Sequence, residues 1–247
     1  MTKIDKFKEY FHDYTDKYVI IGGTACDLMM EEAGLDFRST KDIDIVLIIE
    51  TLDKTFGKTF WNFIKDAGYN QVSTNPGTAR FYRFSKPLDN SFPSMIEILS
   101  KKQFDLSKEG IIGPIHIDDE IYSLSAILLD NEYYDFMLKG TKIVDGLRII
   151  DEKHIIPFKI KAYLDLREKR EAGLNIKSND IKKHKNDVFR ISQLLSIDQK
   201  VDTNNNIRND IETFIEMMID QDIDLKALGI INITKQIILD TLKAVYL

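Results

Sequence analysis

Asp42 and Asp44 stand two residues apart at the head of an apolar, β-branched run reaching Ile49. This pair constrains the chain more than any other feature. A run of that length and composition predicts a central strand. On a strand the two carboxylates point to one face, while Ile43 and Ile45 point to the other. Neighbouring like charges disfavour each other's ionised forms, so the pair calls for a cation or a donor network between them. Carboxylate oxygens suit Mg²⁺ or Mn²⁺.

Upstream, Tyr18 to Ile21 is a β-prone stretch that breaks at Gly22-Gly23, and Thr24 to Ala33 reads as a helix. Strand, glycine turn and helix make an anion site, because unpaired amides and the helix dipole favour phosphate. Glycine also lets the backbone approach a ligand closely. Downstream, Glu97 is a single acid inside the apolar strand candidate Met95 to Ser100 and needs a partner. Together these parts match the needs of phosphoryl transfer, in which positioning and electrostatics do most of the work.

Around this centre the periodicity predicts a mixed α and β region. Ile4, Phe7, Tyr10, Phe11 and Tyr14 recur at helical spacing, as do Leu52, Phe56, Phe60, Phe63 and Ile64 up to Gly68. Tyr69 to Ser73 and Ala79 to Ser85 are strand candidates flanking the turn TNPGT, and Ser123 to Leu138 reads as a helix. A short β-like stretch surrounds Val144 to Ile150, and from Pro157 onward the pattern is helix after helix. VDTNNN reads as a polar link between two of those helices. The expectation is an α+β fold of two domains, residues 1–152 with a mixed sheet and residues 153–247 wholly helical.

No apolar stretch approaches the ~20 residues that span a bilayer, and the charged start MTKIDKFKEYFHDYTDKY lacks an apolar signal core. These readings place the chain in the cytoplasm with no membrane partner. A net charge of −6 argues against a broadly basic nucleic-acid binder, while REKREAGLNIKSNDIKKHK concentrates cations locally, either as a basic binding face or as an ordinary solvated helix surface. The single cysteine, Cys26, reads as a small core residue.

The segment YVIIGGTACDLMMEEAGLDFRSTKDIDIVL resembles the nucleotidyltransferase superfamily that includes DNA polymerase β, and within it the AbiEii/AbiGii toxin-like branch. That resemblance implies a nucleotidyltransferase-like sheet. It further implies a Gly22, Gly23, Thr24 turn holding triphosphate, and metal ligands at Asp42, Asp44 and Glu97. IIPFKIKAYLDLREKREAG and IKKHKNDVFRI resemble the helical signature of the same branch. By that likeness Lys159 or Lys161, with Lys185 and Asp187, hold nucleotide or acceptor; the alternative is an ordinary interhelical salt bridge. Arg38 and Lys41 either contact phosphates or balance the acids.

The implied activity is transfer of a nucleoside monophosphate from an NTP to an acceptor hydroxyl on RNA, tRNA included, or on a protein. The partner implied is an antitoxin protein. Two alternatives stand beside it: a small-molecule acceptor of the antibiotic type, and a non-catalytic nucleotide-binding module. Arg80 and Arg83, three apart, cannot both face a cleft from one regular strand. His184 reads as an exposed helix histidine, and Phe81, Tyr82 and Phe84 as core.

Overall fold

The computed structural model describes residues 3–38, 40, 42–74, 81–99, 113–114 and 130–247. Contacts divide the chain into two compact units. The first comprises Met1–Leu28, Arg38–Ile117 and Thr141–Ile150; the second comprises Met29–Phe37, Asp118–Gly140 and Asp151–Leu247. The chain therefore crosses between units several times, instead of once at the expected boundary after residue 152. The crossing near that boundary lies at Ile150 and Asp151.

Unit 1 is built on one mixed sheet. Its strands are β1 (Tyr18–Ile21), β2 (Asp42–Leu47), β3 (Gln71–Thr74), β4 (Phe81–Ser85), β5 (Met95–Leu99), β6 (Gly113–Pro114), β7 (Thr141–Val144) and β8 (Leu147–Ile150). They lie in the order β6-β3-β4-β5-β2-β1-β8-β7. β2 sits between β1, to which it is antiparallel, and β5, to which it is parallel. All four residues of β1 are buried, as a strand covered on both faces should be.

Helices α1 (Lys3–Phe11) and α3 (Lys54–Ala67) supply an aromatic layer against this sheet. Phe7 and Phe11 meet Tyr18 and Phe63, and Phe60 packs edge-on against Phe84. Tyr82 and Phe84 are buried, in keeping with their expected core role, while the side chain of Phe81 lies outside the description. Asp53 caps α3 by accepting from the Phe56 amide at 2.8 Å, and Gly68 ends it in the left-handed region at φ 62°. Helix α2 (Gly22–Glu32) begins at the first glycine of the turn, two residues earlier than its apolar pattern predicts.

The β-like stretch near Val144 proves to be a hairpin. β7 and β8 are antiparallel, and Asp145 and Gly146 join them at φ 49° and 75°. Two positive φ values make a two-residue turn whose twist matches the strands.

Unit 2 holds α4 (Asn131–Lys139), α5 (Glu152–Glu171), α6 (Ser178–Ile191), α7 (Asn205–Ile219) and α8 (Lys235–Tyr246). Residues 123–129 of the expected helix fall outside the described residues. α5 starts before Pro157, at the cap Asp151, whose carboxylate accepts from the His154 amide at 2.9 Å. Pro157 thus lies inside the helix and cannot donate to the Lys153 carbonyl one turn back. The buried Tyr246 hydroxyl donates to that carbonyl at 2.6 Å. The VDTNNN link does join two helices, with Asn204 capping α7 through the Ile207 amide. Among the described residues no helix is long and apolar enough to cross a membrane.

Candidate active site

The site in unit 1 grows from the register of three strands. Asp44 on β2 aligns with Glu97 on β5, and Glu97 aligns with Arg83 on β4. Aligned residues on neighbouring strands share a face, so Asp42, Asp44, Glu97 and Arg83 lie on one side of the sheet. Along β2 the burial alternates from Asp42 to Ile45, with the two acids half-buried and the two isoleucines buried. The two-residue spacing was the cue, and the strand realises it.

Asp44 also aligns with Ile21, the last residue of β1, which brings the glycine turn directly beside it. Gly22 has φ 70°, and a Cβ built there would stand 1.8 Å from Asp44 Oδ2. Only glycine satisfies both the backbone angle and the contact. A Cβ on Gly23 would stand 2.7 Å from Thr40 Cγ2 and 3.3 Å from an Arg38 guanidinium nitrogen. The Arg38 side chain therefore lies over the second glycine. Turn, carboxylate and guanidinium are packed so closely that no side chain can separate them.

Thr24 ties the glycine turn to the acidic strand. Its buried hydroxyl donates to the Asp42 carbonyl at 2.6 Å and lies 3.4 Å from the Thr40 hydroxyl. It fastens the first turn of α2 to the head of β2, holding the glycine turn against the acids. Cys26 is buried with its thiol directed at the Gly22 carbonyl, 3.0 Å away, as a core residue.

Glu97 is 5% exposed, and its partner is Arg83, whose Nε and Nη2 lie 2.8 and 2.7 Å from Oε1. Burial and the adjacent Asp44 carboxylate push the Glu97 carboxyl well above the usual range, and the Arg83 guanidinium opposes them. At a strand spacing of about 5 Å and an effective dielectric near 20, two ionised carboxylates repel by about 3 kcal/mol. The face therefore accommodates a shared proton, a guanidinium or an added cation. Among the described residues no three His, Cys, Asp or Glu side chains are gathered as a ready metal cage.

Sequence reasoning left Arg83 as one of two arginines of which at most one could face the cleft. The β4 register selects it; Arg80 and Lys41 lie outside the described residues. Thr40 was missed entirely, and nothing local in RSTKD marks it.

The remaining candidates belong to unit 2. Lys159 Nζ and Asp187 Oδ2 form a buried ion pair at 3.1 Å between α5 and α6, and Arg190 lies 3.7 Å from the other Asp187 oxygen. Lys161 is shared between Asp165 at 3.4 Å and Asp210 at 3.5 Å, while Lys185 donates to Gln221 Oε1 at 3.1 Å. His184 is buried, against the expectation of an exposed side chain. It falls on the face of α6 that carries Ile181, Val188 and Ile191, three or four residues apart.

No protein-family model matches the chain, and no curated protein sequence is significantly similar to it. Solved structures similar to it include the crystal structure of the Megavirus polyadenylate synthase, at 12% identity and a TM-score of 0.42. That match covers 88% of this chain and 36% of the other, so the chain spans little more than a third of the viral enzyme's length. The crystal structure of JHP933 from Helicobacter pylori is matched at 14% identity and a TM-score of 0.34, over 98% of this chain and 86% of that one.

Proposed function

We propose that unit 1 is a nucleotidyltransferase that moves a nucleoside monophosphate from an NTP to an acceptor hydroxyl. A bond forms between the acceptor oxygen and the α-phosphorus, the bond to pyrophosphate breaks, and the acceptor proton passes to a base. One observation carries this reading: the close seat of the Gly22 backbone on Asp44, which sets a phosphate-type turn against a paired-carboxylate strand.

The donor set suits a hard divalent cation, because Asp42 and Asp44 offer half-buried carboxylates on one face and their repulsion favours an added positive charge. Asp42 and Asp44 would hold Mg²⁺ or Mn²⁺, which when bound supplies charge neutralisation and polarises the phosphate. The amides of the Gly22-Gly23 turn and the Arg38 guanidinium hold the β- and γ-phosphates. Glu97, aligned with Asp44 and clamped by Arg83, either joins the metal ligands or receives the acceptor proton. The acceptor hydroxyl belongs to an RNA end or a protein side chain. A neutralising antitoxin is the partner that accompanies such an activity in the toxin-like branch.

A second reading, a nucleotide-binding module without turnover, draws on the Arg83–Glu97 pair, which already satisfies the third acid. One experiment separates the two. The purified protein is incubated with Mg²⁺, each labelled NTP and total RNA or cell extract, beside Asp44→Asn. Label transfer that disappears in the folded variant supports the enzyme. Transfer that survives sinks the mechanism, and saturable NTP binding with no transfer to any acceptor establishes the binding module.

A further inference from the structure

Arg167 on α5 and Lys185 on α6 converge on one hydrogen-bonded chain within unit 2. Arg167 Nη1 donates to the Tyr163 hydroxyl at 3.3 Å, Gln221 Nε2 donates to the same hydroxyl at 3.2 Å, and Lys185 Nζ donates to Gln221 Oε1 at 3.1 Å. The carboxylate here is Glu171, 2.9 Å from Arg167 Nη2 and 67% exposed. Among the described residues Lys185 has no carboxylate within ion-pair distance; its acceptor is a neutral amide. Burial lowers its affinity for its own proton, opposed by Tyr163 and reinforced by the nearby Lys182 and Arg167 cations. Two cations are thus held in fixed positions around one tyrosine hydroxyl, an arrangement that an incoming anion relieves.

The surroundings say which anion. Residues 167–185 carry seven Lys or Arg against three Asp or Glu, in a chain whose net charge is −6. Arg170, Lys177 and Lys182 within that stretch are exposed. Arg170 and Lys182 stand one helical turn from Arg167 and Lys185, and cations that extend beyond one anchored pair match successive phosphates of a polymer better than the compact charge of one small molecule. We infer that Arg167 and Lys185 form a phosphate-binding site for the backbone of single-stranded RNA. This deepens the transfer reading by naming the acceptor's class, and its test is a binding measurement that needs no turnover.

The probe is a fluorescent single-stranded oligouridylate, titrated with the full chain from about 0.05 to 0.2 M salt. Arg167→Gln and Lys185→Gln should each weaken binding about fourfold near 0.15 M salt and reduce the salt slope by ~0.7, the counter-ion release of one single-strand contact. Arg167→Lys and Lys185→Arg should keep the wild-type slope, which separates charge from packing. Lys243→Gln, an exposed cation on α8, should change nothing. Asp44→Asn should bind RNA as wild type whether or not it transfers label, so loss of the transfer reading leaves this result standing. A wild-type slope in the Arg167→Gln, Lys185→Gln double variant, with an unchanged thermal midpoint, overturns the inference. So does a loss of ATP affinity with RNA affinity intact, which assigns the site to a nucleotide's phosphates.

Discussion

Gly22→Ala tests the centre of the site, because it strains the backbone and inserts one atom where Asp44 already stands. The left-handed backbone at φ 70° costs an alanine about 1–2 kcal/mol. The added Cβ would begin 1.8 Å from Asp44 Oδ2, so the carboxylate or the turn must yield by more than an ångström. Forcing an atom into a packed site of this kind adds about 1–3 kcal/mol. The total, about 2–5 kcal/mol, lies within the stability of an ordinary domain, so the variant should fold. A misplacement of about 1 Å at reacting groups costs on the order of a hundredfold in rate, and label transfer should fall by at least that much. Stability is read by urea denaturation through Trp61, the single tryptophan, which packs against Phe60 and Phe84 in unit 1. Gly57→Ala is the control. Gly57 lies inside α3 with nothing within 4 Å of a built Cβ, so this change should raise stability by about 0.5–1 kcal/mol. A Gly22→Ala protein with a wild-type urea midpoint, or with undiminished transfer, would refute the reasoning from close approach.

Two further predictions concern unit 2. Tyr246→Phe removes the hydroxyl that serves the Lys153 carbonyl opposite Pro157, and should lower stability by about 1–2 kcal/mol in chemical denaturation; an unchanged midpoint would mean that the carbonyl is served otherwise. Burial pushes the Asp151 carboxyl up, but the His154 imidazole and amide outweigh it and hold the carboxyl below its usual range. A depressed folded value contributes stability above the unfolded pKa of about 3.9, and that stability is lost as pH falls through the folded value. Asp151→Asn should therefore flatten the stability profile below about pH 4, and an acid limb as steep as wild type would contradict the assignment.

Much of the site was legible in the chain because its cues are local. A two-residue spacing on a strand forces Asp42 and Asp44 onto one face whatever surrounds them, and a glycine pair between strand and helix marks a turn. The Asp-Gly of the β7–β8 hairpin was equally local and was overlooked, although it explains why the Val144 stretch is two strands. Pro157 misled in the other direction: it suggested a helix start, whereas the capping carboxylate of Asp151 lies six residues before it. The buried face of α6 held His184 against a local reading dominated by its basic neighbours.

By itself, then, the sequence determined the paired carboxylates, the glycine turn and the change from mixed strand and helix patterns to helical ones late in the chain, since each follows from periodicity and backbone chemistry over a few residues. Only the tertiary structure decided which groups meet. The β2–β5 and β4–β5 registers align Asp44, Glu97 and Arg83 across more than fifty residues of chain, and the β1–β2 register seats Gly22 on Asp44. Register is set by how whole strands bury their apolar faces, so no short window of sequence contains it.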